Sequence, residues 1–198
     1  MGQLGAAADA KKQGDRSEDI EMSYWTVQPN RWTFRSDKIR RWVEQRLEGR
    51  VLNACAGKTM LDHNGEVIRN DIDEGRDADL HVDVSVIAEH FHPCSFDTIV
   101  FDPPYSAFQA KTKYEGRTVG KVALAKRQFH ELLAAGGRVI QFGFTTTNMP
   151  TSLGYEREEV AIFNTLGEMN DYLASVDKKL NGDLRGWSHS HDGGDRER

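Results

Sequence analysis

The run Ile99-Val100-Phe101 is apolar at successive positions and stops at Asp102-Pro103-Pro104-Tyr105. Nothing else in the chain constrains its folding so tightly. Neither proline can donate a ladder hydrogen bond, and Pro103 excludes the helical region for Asp102, so a strand over residues 96–101 must end there. Apolar residues on both faces predict a strand covered from both sides, as in a parallel sheet lying between layers of helix. Its carboxyl end then presents Asp102 and the carbonyls that follow.

The rest of the chain fits that frame. Residues 50–54, 66–70, 79–84, 138–144, 159–164 and 172–177 predict further strands bounded by Gly, Asp or Pro, the last two forming an antiparallel hairpin turned by residues 166–170. Ser36 predicts the N-cap of a helix whose Ile39, Trp42, Val43 and Leu47 share one face and which ends near Gly49. A second helix over 118–133 carries Val119, Val122, Leu124, Ala125, Phe129, Leu132 and Leu133, with Gly136 and Gly137 as its terminators. Strands alternating with helices predict an α/β fold, a mainly parallel sheet that binds its ligands at the carboxyl edge.

A chain of 198 residues, 38% hydrophobic, suits one core. The domain is expected over residues 24–180, between a disordered leader (1–23) and a disordered polar tail (181–198). The leader has no apolar stretch of the signal-peptide kind, and the longest apolar runs fall far short of the roughly 20 residues of a membrane span. Cys55 and Cys94 fall in different predicted elements, which argues against a disulfide framework and for a reducing compartment, so a cytoplasmic location is expected. The net charge of −5 is unevenly spread. Residues 31–50 hold seven basic side chains against three acidic ones, and residues 111–127 hold six against one, on an otherwise acidic body. The first stretch is equally well read as the solvated face of a helix; the second follows directly on Asp-Pro-Pro-Tyr and predicts a grip on phosphates.

The end of the 96–101 strand suits one kind of chemistry. An exocyclic amine on a base is a poor nucleophile because its lone pair is delocalised into the ring. An acceptor at Asp102 and another at the Pro103 carbonyl can each take one N–H and turn the lone pair outward. Pro103 and Pro104 keep the backbone extended, and Tyr105 offers a flat surface on which a flipped base can stack.

This Asp-Pro-Pro-Tyr motif resembles the signature of the class I S-adenosylmethionine-dependent amino methyltransferases, of the N6-adenine DNA methyltransferase kind. The resemblance implies a Rossmann-like fold with a seven-stranded, mainly parallel sheet and an antiparallel last strand, S-adenosyl-L-methionine as cofactor, and Asp102, Pro103, Pro104 and Tyr105 as the catalytic set. Asn53, Ala54, Cys55, Ala56 and Gly57 resemble the family's cofactor-binding first motif, with Asn53 where an acid is usual. Only residues 58–66 separate Gly57 from the next strand, so the helix expected there is very short or absent. Asp71, with Asp73 behind it, matches the acid that accepts the cofactor's ribose hydroxyls, and Asp83 the position that meets its adenine amine.

The resemblance implies a nucleic-acid partner. DNA is slightly favoured over RNA, with Lys111 and Lys113 binding the substrate and specificity drawn from the 106–116 loop, the 145–155 loop or a partner protein. A base amino methyltransferase of rRNA or tRNA is the alternative, and a non-catalytic nucleic-acid-binding module on the same fold is a further one. Gly57-Lys58-Thr59 suggests a phosphate-binding loop, but that motif needs glycine where Leu52 stands. His81, His90, His92 and Cys94 lack the paired spacing of a zinc site, so no metal is expected.

Overall fold

The computed structural model describes residues 20–30, 32–104 and 122–180. Tyr105, Lys111, Lys113, the 106–116 loop, the tail and most of the leader lie outside the described residues. Seven strands form one sheet: β1 (Glu21–Thr26), β2 (Val51–Asn53), β3 (Val67–Arg69), β4 (Phe96–Phe101), β5 (Leu133–Gly143), β6 (Tyr155–Asn164) and β7 (Tyr172–Lys179). Their order is β1-β6-β7-β5-β4-β2-β3. Six run parallel, and β7 alone is antiparallel to both of its neighbours. Among the described residues the α-helices are α1 (Asp37–Glu44) and α2 (Val122–Leu132).

The strand pattern sends side chains to two cores. Val51, Val100, Ile140 and Phe142 face α1, where they meet Ile39, Trp42 and Val43. Leu52, Ile99, Phe101 and Val139 face the opposite way, toward Phe129 and Leu132 of α2. Side chains two residues apart along each strand share a face, which is why the central strands are apolar at every position. Trp42 ties the first layer together. Its ring meets Phe142 and Phe163 edge-on, and its Nε1 donates to Glu159 at 3.0 Å. Glu159 is buried and also accepts both arms of Arg46, at 2.6 and 2.7 Å.

The count of seven is as expected, but two members differ. Residues 79–84 form no strand; Leu80 makes an isolated bridge with Asn70, just past β3, and the Asp79 and Leu80 N–H groups bond the Arg69 carbonyl. The acids of this stretch bond the local backbone instead: Asp71 accepts from the Asp73 N–H, Asp73 from Gly75, Asp79 from Arg69 and Asp83 from Ser85. Such side-chain turns compete with a ladder. The seventh strand is β1, whose residues 21–23 the sequence assigned to the leader. It lies at the far edge beside β6 and is exposed on nearly every residue, so no apolar alternation announced it.

The glycines after α2 do not cap it. The helix ends at Leu132 and β5 begins at Leu133, with residues 134–137 looping out opposite Asp97. Gly137 is needed where it is, since a Cβ there would lie 2.7 Å from the Asp97 carbonyl oxygen. Residues 58–66 contain no helix, in keeping with their length.

Candidate active site at the carboxyl edge of the sheet

The chain leaves β2 toward β3 on one side, while β4 leads to β5 on the other, so the strand order reverses between β2 and β4. That reversal opens a crevice at the carboxyl ends of the two strands. The Ala54 N–H donates to the Val100 carbonyl at 2.9 Å and ties the two strand ends together. The two sequence motifs lie at these strand ends, Asn53 to Gly57 at the end of β2 and Asp102 to Pro104 directly after β4.

The turn after β2 is held by acceptors from the next strand. Gly57 has φ +58°, a left-handed conformation that glycine adopts without strain, and its N–H donates to Asp71 Oδ2 at 2.8 Å. Asp71 Oδ1 takes the Asp73 N–H at 2.9 Å. Asp71 is thus buried and clamps the turn, with one further lone pair on each oxygen for a ligand. Asn70, which the sequence reading passed over, braces the same turn: its amide donates to the carbonyls of Ala54 and Val82 and accepts the Val82 N–H. His81 Nδ1 lies 2.9 Å from the Asp71 carbonyl, which makes it part of this scaffold. Among the described residues no group of three His, Cys, Asp or Glu is arranged to hold a metal ion.

Asn53 stands apart in this region because its whole polar group is unmet. It is fully buried at the end of β2, and neither its Nδ2 nor its Oδ1 has a hydrogen-bond partner. An unmet buried amide costs about 1–3 kcal/mol, so a position that retains one is a candidate for contact with a ligand. Replacing Asn53 by Leu is expected to raise the unfolding free energy, by about 1 kcal/mol, while weakening any ligand of the crevice. Urea denaturation alongside calorimetry checks both, and an Asn53→Leu protein that binds as tightly as the wild type removes Asn53 from the site.

Three of the predicted acids act on one side chain. Burial pushes the Cys55 thiol well up, and the charges of Asp71, Asp102 and Asp83 push it further in the same direction. The charge acting on Cys55 is accordingly negative. With its pKa raised, Cys55 stays a neutral thiol through the range in which ordinary thiols ionise, and only the thiolate reacts. At pH 8 Cys94, which is exposed, is therefore expected to alkylate first, with Cys55 slower by about tenfold or more. Mass spectrometry of iodoacetamide-treated protein reads the order, and the gap should narrow as pH rises.

Tyr172 was not legible in the sequence as a member of this site. It is buried at the start of β7, its hydroxyl donates to the Asn30 carbonyl at 2.7 Å, and burial followed by the Asp102 charge pushes its pKa up. Trp32 is a second such residue. The Lys58 ammonium lies 5.5 Å and the Arg76 guanidinium 5.4 Å from its ring. The first basic stretch is largely spent on structure: Arg40 pairs with Asp37 and Glu44, Arg46 with Glu159 and Arg50 with Glu66. Lys126, counted in the second stretch, is buried and donates to the carbonyls of Thr147 and Asn148, and burial lowers its pKa. It therefore anchors the 145–155 loop and does not face a phosphate.

No protein-family model matches the chain, and no curated protein matches its sequence. Solved structures do match. TrmN from Thermus thermophilus aligns with a TM-score of 0.53 at 17% identity, over 73% of this chain and 49% of that one, so this chain spans about half of TrmN's length. The 1,6-didemethyltoxoflavin N1-methyltransferase of Burkholderia thailandensis, solved with that compound and S-adenosylhomocysteine bound, aligns at 0.50 and 13% identity, over 73% and 76% of the two chains. This chain has the class I methyltransferase fold. The [4+2]-cyclase SpnF aligns at 0.55 and 11% identity, over 82% and 88%. A methyltransferase fold that also supports a cyclase leaves the chemistry to be argued from the site residues.

Proposed function

We propose that this protein is an S-adenosylmethionine-dependent methyltransferase acting on a planar exocyclic nitrogen, with adenine N6 in DNA as the first candidate. The observation that carries the reading is the crevice itself. A fully buried Asn53 with both amide atoms unmet stands at the end of β2, and Asp102-Pro103-Pro104 follows directly on β4 beside it. The donor set fits the cofactor. In this reading Asn53 takes the methionine end, Asp71 and Asp73 offer lone pairs to the ribose hydroxyls and Asp83 takes the adenine amine, while the negative charge around Cys55 suits a cationic ligand. Bound S-adenosylmethionine would supply an electrophilic methyl on a sulfonium centre.

The chain's own residues supply alignment. Asp102, half-exposed at the end of β4, accepts one N–H of the target amine, and the Pro103 carbonyl accepts the other. Both act on the amine as its nitrogen becomes pyramidal, so their contribution grows in the transition state. Tyr105, Lys111 and Lys113 complete the reading as base platform and phosphate contacts. RNA is the alternative substrate, and a protein that specifies the site is an accompanying proposal.

The test is titration of the purified protein with S-adenosylmethionine by calorimetry, followed by incubation with tritiated cofactor and separate pools of DNA and RNA. Binding together with label in the DNA pool is the expected result. Label in RNA alone redirects the substrate, and absence of binding overturns the enzyme reading in favour of a non-catalytic module.

A further inference from the structure

β1 pairs with β6 on one side, and among the described residues nothing pairs with its outer side. Two bonds sort its backbone groups. The Val27 N–H donates to the Asn164 carbonyl at the end of β6 at 2.9 Å, while the Thr26 carbonyl accepts the Lys38 ammonium at 2.6 Å. The N–H and C=O of one strand residue point the same way, and successive residues alternate. Residues 21, 23, 25 and 27 therefore face β6, and Met22, Tyr24 and Thr26 face outward. Lys38 caps the Thr26 carbonyl, which leaves the donors and acceptors of Met22 and Tyr24 open and symmetric about Ser23. Side chains alternate as well. Glu21, Ser23 and Trp25 lie on the α1 side, in register with Glu159, Ala161 and Phe163. Met22 and Tyr24 lie on the opposite side and are 63% and 65% exposed. An edge strand of six residues with neither proline nor lysine is an open template for pairing. The other edge, β3, is guarded by being three residues long.

We propose that β1 is a dimerisation edge, joined by β1 of a second copy of this chain, antiparallel, about a two-fold axis at Ser23. The open groups place the axis. With Ser23 opposite its counterpart, Met22 of each copy exchanges both of its outward backbone bonds with Tyr24 of the other, and neither Lys38 has to leave its carbonyl. An axis at Tyr24 sets Met22 against Thr26 and displaces Lys38. In the Ser23 register the Met22 and Tyr24 side chains of the two copies meet on one face, where thioether and ring attract. On the α1 face, Glu21 of each copy comes beside Trp25 of the other, next to the exposed Lys38 held at Thr26. Opposite charges therefore meet twice, and the two Glu21 carboxylates stay apart. Strands of this length bury about 1,000 Å² in total, the low end for a specific interface, so a dissociation constant on the order of 10 µM is expected. The axis turns the carboxyl edges of the two copies opposite ways, and each crevice works alone.

Sedimentation velocity on the full chain, from about 1 to about 300 µM, tests the edge, and a reversible dimer is the expected result. Tyr24→Pro removes an outward N–H and spares the ladder to β6, so it should weaken the dimer about tenfold or more with an unchanged circular dichroism spectrum. Ser23→Cys, combined with Cys94→Ser to remove the exposed native thiol, reads the register. Opposite residues of a non-hydrogen-bonded pair have Cα atoms about 4.5 Å apart, within disulfide reach, so mild oxidation should cross-link two chains. A chain that stays monomeric through the range and forms no cross-link overturns the proposal, as does a folded Tyr24→Pro protein that dimerises like the wild type. Should Tyr24→Pro fail to fold, the cross-link decides: its formation supports the edge and its absence overturns it. Dimerisation that appears only after residues 181–198 are removed assigns the edge to the chain's own tail and overturns the dimer of the full chain.

Discussion

Asp102→Ala is expected to lower methyl transfer by about 10³-fold or more while changing cofactor affinity by less than about twofold. The argument rests on where Asp102 stands. It follows a strand buried on both faces, β4, at the reversal of strand order, and Pro103 behind it is buried, so the backbone that aims the carboxylate does not depend on the carboxylate itself. Removing it takes away an acceptor whose use peaks as the amine nitrogen pyramidalises. Asn53 at the end of β2 is untouched. Single-turnover rates with tritiated cofactor, set beside calorimetric affinity, check the split. A variant that keeps near-normal turnover rules out the proposed mechanism, and one that loses cofactor binding in proportion places Asp102 on the cofactor instead.

Trp42→Ala is expected to cost about 3–5 kcal/mol of folding stability, the range for deleting a large buried aromatic. The ring is 2% exposed and fills the space between α1 and the sheet, where Phe142 and Phe163 meet it at centroid distances of 6.0 and 5.6 Å. Its removal also takes the Nε1 donor from Glu159 and the π-face from Arg46, whose guanidinium carbon lies 4.0 Å from the ring centroid. A domain of this size has only about 5–15 kcal/mol to lose. Trp42→Phe separates the terms: it keeps most of the packing and forfeits chiefly the hydrogen bond, so a cost of about 1–2 kcal/mol is expected. Urea denaturation measures both, and an alanine variant within 1 kcal/mol of the wild type would mean that the α1 layer is held elsewhere.

The site was legible in proportion to how local its signals are. Asp102-Pro103-Pro104 announces itself because proline rules act on adjacent residues, and the Asn53 to Gly57 turn because small residues follow an apolar strand. Trp32 and Tyr172 had no such signal. Trp32 lies 26 residues from Lys58 and 44 from Arg76, and only folding brings their side chains together. The acidic stretch misled for a related reason. Residues 79–84 have strand-like composition, but the carboxylates of Asp71, Asp73, Asp79 and Asp83 found backbone N–H groups close by and turned the chain before a ladder formed. The edge strand β1 was invisible because an exposed strand needs no apolar pattern; its partner β6 supplies the pairing.

The residue pattern alone was enough for the α/β class, the presence of the central strands and their carboxyl ends, the face of α1 that is buried, and the place of both motifs at those ends. These follow from hydrophobic period and backbone restriction, which act within a few residues. Long-range packing was needed to settle which strand completes the sheet, that Asp71 is first a clamp on the turn, that Lys126 points inward, and that Asn53 stands unbonded beside Arg69. Each of these depends on which distant groups burial has deprived of water, since a polar side chain takes its role from the partners it finds there.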